Sequence, residues 1–274
     1  MNKIDKFALA VSIGDKKFLT ENGFREMQES NIKAIELSFN DYTDINFSEI
    51  KNLADKFNVK LWSLHLPFMP FEELDISSAD GDVRKTTVDL ICELISQSAC
   101  IGIDRFVVHA SGEPVLPPVR TERKKCSKDS LYKISEFAKK YNSVIAVENL
   151  PRTCLGNCSS EINELTSVNE NLLVCFDTNH LFLESAQEFV ANLNKEIETI
   201  HASDYDFQYE RHWLPLCGNI DWNLIINLLN KKKYNGPFMY EVSFSKGKFP
   251  FESDLNFGDF YINYSNLFNG GGTK

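Results

Sequence analysis

The chain has 274 residues, of which 43% are hydrophobic and 25% are charged. This length and apolar content are typical of a globular protein with a large core, and they exclude wholesale disorder. Acidic residues outnumber Lys and Arg by 39 to 29, which gives a formal net charge of −10 at pH 7. Because non-specific binding to nucleic acid depends on Lys and Arg, this charge makes nucleic acid an unfavoured partner.

The sequence contains no signal that would place the chain in or across a membrane. The segment from Met1 to Phe7 has no apolar stretch of signal-peptide length, and no run of about 18 apolar residues occurs. We therefore expect a cytoplasmic protein without a membrane partner, whose seven cysteines are reduced thiols. Cys154 and Cys158 are expected to lie in a plain loop, because no second pair with matching spacing completes a zinc site.

Eight short apolar runs, rich in β-branched residues, alternate with amphipathic stretches along the chain. Runs this short and this continuously apolar are typical of strands buried on both faces, as in a parallel sheet. They cover residues 7–13, 34–39, 60–64, 105–108, 143–147, 172–176, 198–202 and 238–242.

The stretches between these runs carry helix signals. Residues 83–99 place an apolar side chain every three or four positions, which makes one apolar face. Asn46, followed by Glu49, resembles a capping box, and Asp221 is a candidate N-cap for the helix that starts at Trp222.

Eight strand–helix alternations in this length predict a (β/α)8 barrel that forms a single domain over residues 1–274. A doubly wound open sheet is the alternative, but no Gly-x-Gly-x-x-Gly turn follows the first strand. Residues 269–274 are expected to be a frayed tail. The connections 67–82 and 204–220 are long, and we expect them to be functional because long loops on a compact barrel are rarely idle.

Polar side chains gather at the carboxyl ends of the predicted strands, where barrels of this kind build their active sites. All five histidines lie there or in the loops just after. Each polar residue alone has a structural explanation, such as a hydrogen-bonded histidine, an aspartate N-cap or a glutamate ion pair. Three carboxylates buried at one barrel mouth, however, call for protons or a cation, which favours a divalent metal. The residues are His65, His109, Glu148, Asp177, His180, His201, Asp204, His212 and Glu241.

Four segments give the chain a family resemblance: Glu148-Asn-Leu-Pro, Asp177-Thr-Asn-His180, His201-Ala-Ser-Asp204 and Tyr240-Glu241. In order and spacing they resemble the xylose-isomerase-like TIM-barrel superfamily, which contains sugar isomerases, sugar epimerases and endonuclease IV. The resemblance runs over nearly the whole chain. For the single-metal epimerases it implies a divalent ion (Mn, Co, Mg or Zn) held by Glu148, Asp177, His201 and Glu241.

The same resemblance implies how the site would work. Glu148 and Glu241 would be the acid/base pair that moves a proton next to a carbonyl through a cis-enediolate, and His180 would orient the substrate. Arg211 would bind a substrate oxyanion, phosphate or carboxylate, although the loop 215–219 departs from the family's Pro-Gly-x-Gly pattern. The implied substrate is a sugar, sugar phosphate or cyclitol, and a homo-oligomer remains possible. Further candidates for substrate contact are His65, His109 and Trp62.

An endonuclease-IV-like phosphodiesterase with three zinc ions is the alternative that the ligand set leaves open. It would use Glu148, Asp177, His201 and Glu241 for one ion, and Glu148 would also bind a second ion. We consider it less favoured, because the chain is acidic and its one basic cluster, residues 120–128, is expected to be the solvated start of a helix. The additional ligands would be His65 and His109 for the second ion, and His180, Glu210 and His212 for the third, with Glu210 where that family has Asp.

Overall fold

The computed structural model describes residues 6–245 and 253–268, in which strands and helices alternate along the chain. The strands are β1 (Leu9–Ile13), β2 (Ala34–Ser38), β3 (Lys60–His65), β4 (Arg105–Val108), β5 (Val144–Glu148), β6 (Leu172–Asp177), β7 (Ile197–His201) and β8 (Phe238–Tyr240). The helices are α1 (Glu21–Glu29), α2 (Phe47–Phe57), α3 (Gly81–Ala99), α4 (Pro117–Lys139), α5 (Ser159–Thr166), α6 (Ala186–Asn192), α7 (Trp222–Lys231) and α8 (Phe257–Phe268). Each predicted apolar run coincides with one of these strands.

The eight strands form a closed parallel barrel. From β1 to β7 each strand pairs with the next one in the chain, and β1 pairs with β8. A bridge between β7 and β8 closes the ring, where the Ala202 amide donates to the Met239 carbonyl (2.8 Å) and the Glu241 amide to the Ala202 carbonyl (3.2 Å). The predicted (β/α)8 barrel is therefore confirmed. The expected frayed tail, residues 269–274, lies outside the described residues.

Side-chain caps set the starts of several helices. The Asp221 carboxylate accepts the amide of Leu224 (3.0 Å), and the Asn46 side chain accepts the amide of Glu49 (3.1 Å). Both predicted N-caps are confirmed. Helix α3 begins at Gly81, slightly before the predicted residue 83, because the Asp80 carboxylate caps its first turn.

A β-bulge determines which side chains of β3 face the barrel axis. Ile35 of β2 pairs with Leu61 of β3, but the next residue, Glu36, pairs with Ser63. Trp62 is therefore an extra residue in β3 that has no pairing partner in β2. Beyond the bulge, Glu36 pairs with Ser63 and Ser38 pairs with His65. Paired residues of neighbouring strands point to the same face, so His65 is directed toward the open end of the barrel interior.

The basic cluster at residues 120–128 lies in the first half of α4, but it is not a solvated segment. Four of its side chains pair with carboxylates of neighbouring elements, and the sequence could not show these partners because they are distant in the chain. The pairs are Arg120 with Glu161 (2.6 Å), Arg123 with Asp75, Lys124 with Glu164 (2.6 Å) and Lys128 with Glu164 (3.3 Å). The expectation of a solvated helix start is thus corrected, and the cluster's charge is largely neutralised.

In the described part of the chain, no helix combines the length and the apolarity that crossing a bilayer requires. The seven cysteines are free thiols. Cys154 and Cys158 both lie in the connection between β5 and α5.

Candidate active site

Seven ionisable side chains meet at the open end of the barrel, and all are buried or half-buried. Each ends a strand or follows it closely, so the parallel sheet brings residues that are far apart in the chain to one edge. They are His65 from β3, His109 after β4, Glu148 from β5, Asp177 from β6, His180 after β6, His201 from β7 and Glu241 after β8.

Glu148 lies at the centre of this group. Its Oε2 is 3.1 Å from Nε2 of His65 and 3.2 Å from Nε2 of His109, and its Oε1 is 3.2 Å from Nδ1 of His201. Burial acts to raise the pKa of Glu148, but the His201 and His109 imidazoles outweigh it and hold that pKa well below its ordinary value. The carboxylate is therefore ionised and surrounded by imidazole rings.

Three carboxylates lie around one ring nitrogen of the site, Nδ1 of His201. His201 Nδ1 lies 3.2 Å from Glu148 Oε1, 3.6 Å from Glu241 Oε2 and 4.0 Å from Asp177 Oδ2. Both Asp177 Oδ2 and Glu241 Oε2 are buried without a hydrogen-bond partner, which is costly for carboxylate oxygens. Ligand atoms about 2.1 Å from a common divalent ion lie about 3.0 to 3.4 Å from one another. The Glu148 oxygen already lies at such a distance from His201 Nδ1, whereas the oxygens of Glu241 and Asp177 would have to move inward before one ion could bind all four atoms and satisfy both oxygens. Among the described residues, two overlapping sets have ligand atoms within 4.8 Å of one another: His65, Glu148, His201 and Glu241, and Glu148, Asp177 and His180.

The electrostatics of Asp177 point the same way. Burial raises its pKa well above the ordinary value, and the carboxylates of Glu241 and Glu148 add to the effect, although the His180 ring opposes it. Negative charge is therefore unfavourable at Asp177 unless a cation is close by.

A second group adjoins the first, on the loop between β7 and α7. Glu210 Oε1 lies 3.0 Å from His212 Nε2 and 3.5 Å from His180 Nε2. The His180 Nδ1 donates to the Asn149 carbonyl (2.9 Å). Burial acts to lower the pKa of His180, but Asp177 and Glu210 outweigh it and raise that pKa to about 10. At neutral pH His180 is consequently a cation whose Nδ1 donates to Asn149 and whose Nε2 faces the Glu210 carboxylate.

The cavity over these groups has a volume of about 320 Å³, at the lower end of the range typical of small-molecule sites. Part of the lining is polar and includes Glu148, His180 and Glu241, whereas His65, Asp177 and His201 are buried and do not line the cavity. Another part is apolar, and its Phe68 ring stacks on His109 with the ring centroids 3.9 Å apart. The apolar lining consists of Phe68, Met69, Phe71, Leu150 and Pro151. A smaller cavity of about 180 Å³ shares His212 and Glu241 with it and is otherwise lined by Ser12, Gly14, Ser38, Val242 and Ser243.

Arg211 does not reach this cavity. Its Nε and Nη2 donate to Asp206 Oδ2 (2.9 and 2.7 Å), and its guanidinium lies over the Tyr209 ring. Another arginine lines the cavity mouth instead: Arg152 pairs with Glu113 (2.7 Å) and with Glu210 (2.6 Å). The binding of an oxyanion by Arg211 stays a prediction, since an ion pair within its own loop holds the side chain away from the cavity in this structure.

Trp62 also lies away from the cavity. As the bulge residue of β3 it packs in the lower barrel, where its Nε1 donates to Thr199 Oγ1 (3.2 Å) and the Arg105 guanidinium lies 3.9 Å from its ring. Trp62 thus has a packing role in this structure, and its contact with a substrate stays a prediction.

One buried acid near the site was absent from the predicted set. Glu36 of β2 is fully buried, and its Oε1 lies 3.0 Å from His201 Nε2. Burial acts to raise its pKa, but the His201 ring outweighs this and lowers it. The sequence did carry a signal, since Glu36 is the one charged residue in the otherwise apolar run Ala34-Ile-Glu-Leu.

Comparison with known proteins places the fold in a family. The chain belongs to the xylose isomerase-like TIM barrel family, whose pattern matches residues 24–257. It is similar to the uncharacterized protein MJ1311 of Methanocaldococcus jannaschii, with 26% identity over 72% of this chain and 69% of that protein. Among solved structures it resembles a D-tagatose 3-epimerase-like protein (TM-score 0.79, 22% identity, 96% of each chain). It also resembles an L-ribulose 3-epimerase (TM-score 0.77, 18% identity, 97% of this chain and 94% of the other).

Proposed function

We propose that this chain is a divalent-metal-dependent isomerase or epimerase that acts on an uncharged sugar. The observation that carries the proposal is the convergence of His201 Nδ1 with the carboxylates of Glu148, Asp177 and Glu241, two of which present buried oxygens without a hydrogen-bond partner. The barrel's resemblance to sugar 3-epimerases gives the reaction class.

These four residues would hold the ion, which can be Mn, Co, Mg or Zn. A divalent ion there supplies Lewis-acid polarisation of a substrate carbonyl, which acidifies the neighbouring C–H bond.

In this proposal Glu148 and Glu241 exchange protons with a substrate carbon that lies between them. Their facing oxygens lie within 4.8 Å of one another, and they come from different strands of the barrel. One of the two, as an ionised carboxylate, would take the proton from the substrate carbon and leave an enediolate. The other, as a protonated carboxylic acid, would give its proton to the opposite face of that carbon, so that the two groups exchange protonation states in each turnover. The protonated His180, together with His65 and His109, would bind the substrate's oxygens.

The charges around the cavity favour an uncharged substrate over a sugar phosphate. Among the described residues that line it, Arg152 is the one arginine or lysine, and its guanidinium already pairs with Glu113 and Glu210. A phosphate would have to displace these carboxylates and approach several others. The apolar wall fits the C–H faces of a sugar ring instead.

The proposal is tested by metal analysis followed by exchange in D2O. Chelator-treated protein is reloaded with Mn²⁺, Co²⁺, Mg²⁺ or Zn²⁺ and incubated with a panel of free ketoses and their phosphates. We expect one ion per chain and metal-dependent incorporation of deuterium next to the carbonyl, as seen by NMR, with free sugars only. Lack of exchange with every sugar and every metal would contradict the proposal.

A three-zinc phosphodiesterase is the second candidate, because the ligands for further ions are also brought together. His65 and His109 both contact Glu148, and His180, Glu210 and His212 form a separate group whose ligand atoms lie within 4.8 Å of one another. Against it stands the pairing of the basic cluster in α4, which leaves little charge to grip a duplex.

The two candidates differ in metal content and in substrate. About three zinc ions per chain, together with cleavage of an abasic-site duplex at low salt, would establish the nuclease. One ion per chain and an intact duplex would favour the epimerase.

A further inference from the structure

Glu36 is buried in the barrel directly beneath the candidate metal site. Three neighbours on three different strands surround its carboxylate: Ser12 of β1 donates to Oε1 (2.9 Å), Ser63 of β3 donates to Oε2 (2.7 Å), and His201 Nε2 of β7 lies 3.0 Å from Oε1. The His201 contact is a close electrostatic one, with the oxygen off the direction of the ring N–H bond.

A charge at this position needs a reason beyond packing. Burying a carboxylate costs several kcal/mol, and an apolar side chain of similar volume fills a core without that cost. The two serine hydroxyls offset part of the penalty and hold the carboxylate in one orientation. The remaining neighbour is the His201 ring, which can carry the opposite charge.

The two nitrogens of His201 face different partners. Nδ1 faces the oxygens of Glu148, Asp177 and Glu241, whereas Nε2 faces Glu36 alone among the carboxylates of the described chain. Without a cation, the carboxylates opposite Nδ1 also attract a proton, and Nδ1 lies within hydrogen-bond distance of Glu148 Oε1 (3.2 Å). A cation bound on that side would take the Nδ1 lone pair, and the ring would then carry its one proton on Nε2, where the Glu36 carboxylate stabilises it.

We propose that Glu36 is a positioning residue that sets the tautomer and ring orientation of His201, so that Nδ1 can bind the metal. This inference rests on the metal site of the proposed function. Glu36 touches neither substrate nor metal and acts through His201.

The test compares metal affinity in three proteins: wild type, Glu36→Gln, and Glu198→Gln as a matched control. Glu198 is a carboxylate at the opposite end of the barrel, paired with Arg105 (2.6 Å), and has no contact with His201 among the described residues. Calorimetry with Co²⁺ or Mn²⁺ should give a Kd about 10- to 100-fold weaker for Glu36→Gln, as for other outer partners of metal ligands, and an unchanged Kd for Glu198→Gln.

A second measurement separates positioning from simple destabilisation. The Nε2 and Nε2–H resonances of His201, observed in Zn²⁺-loaded protein, should shift when Glu36→Gln removes the carboxylate charge that faces them, and should keep their wild-type positions in Glu198→Gln. If Glu36→Gln does not fold, Ser63→Ala, which removes one anchor of the carboxylate, is expected to weaken metal binding by a smaller factor and to shift the same resonances.

The outcomes distinguish two failures. Wild-type protein that binds no divalent metal overturns the proposed function itself. Wild-type protein that binds metal while Glu36→Gln binds it within threefold, with unchanged His201 resonances, overturns the role of Glu36 alone.

Discussion

Glu148 and Glu241 have different environments although both are proposed to transfer protons. The Glu148 side chain is 1% exposed and contacts several imidazoles, whereas Glu241 is 21% exposed and borders both cavities. The Glu241 carboxylate is thus more accessible to a substrate, whereas the Glu148 carboxylate is held in place by its contacts with imidazole rings.

We predict that Glu148→Gln and Glu241→Gln each lower kcat by about 10²- to 10⁴-fold, because each removes one partner of the acid/base pair. Deuterium exchange and circular dichroism measure turnover and folding. The fold should persist in both variants, and Glu198→Gln should keep wild-type turnover. Full activity in either active-site variant would rule out the two-carboxylate mechanism.

The two arginines near the cavity should respond differently to substitution. Arg152→Ala leaves Glu113 and Glu210 at the cavity mouth without their positively charged partner. We expect the substrate to bind more weakly by the equivalent of one charged hydrogen bond, which corresponds to about a tenfold increase in KM. Arg211→Ala removes an ion pair outside the cavity, so KM should change little. Steady-state kinetics of the two variants measures both KM values. A large increase in KM for Arg211→Ala alone would support the substrate-binding role that the sequence predicts for Arg211.

At the level of elements, the connection between β7 and α7 is held by one buried carboxylate. Asp204 accepts the amides of Tyr205 (2.9 Å) and Ile220 (3.1 Å) and the Trp222 Nε1–H (2.9 Å). Gly218 packs so closely that a Cβ there would lie 2.4 Å from Asp204 Oδ1. These contacts tie the two ends of the loop that carries Glu210, Arg211 and His212, so the departure from the family's glycine pattern leaves a well-defined loop.

We expect Asp204→Ala to lower the free energy of unfolding by about 3 kcal/mol, because three donors lose a buried charged acceptor. Asp221→Ala, which removes only the N-cap of α7, should cost about 1 kcal/mol. Urea denaturation of the two variants measures both values. Equal losses would mean that Asp204 serves only as a local cap.

At the scale of the whole molecule, the excess of acidic residues has a partly local explanation. Several carboxylates meet at one end of the barrel, where their mutual repulsion and burial oppose folding unless a cation is bound. The basic residues of α4 are meanwhile paired with acids on neighbouring elements. The molecule therefore offers a concentrated negative site and no broad positive surface on α4.

Metal should accordingly stabilise the folded protein. At a free metal concentration of 100 Kd we expect a gain of about 2.7 kcal/mol, which corresponds to roughly 5 to 10 °C in Tm for a chain of this size. Thermal unfolding of chelated and reloaded protein measures the shift. Glu148→Gln should show a much smaller one, and an identical Tm with and without metal in wild type would contradict the metal site.

The sequence by itself determined the barrel and the meeting of the strand-end residues. Both follow from local rules: short apolar runs predict buried parallel strands, and residues at the carboxyl ends of such strands share one edge. His65, Glu148, Asp177 and His201 could be placed in this way because each ends a strand.

Only the tertiary structure decided what depends on partners that are distant in the chain. The β-bulge in β3 places the Trp62 side chain in the lower barrel. An ion pair with Asp206 holds Arg211 away from the cavity, and Arg152 lies at the cavity mouth instead. Glu36 of β2 lies close to His201 of β7 because the closed barrel arranges these two strands, which are not neighbours in the sheet, around one interior. Side-chain direction in loops and charge pairing between elements depend on three-dimensional proximity, which hydrophobic periodicity does not encode.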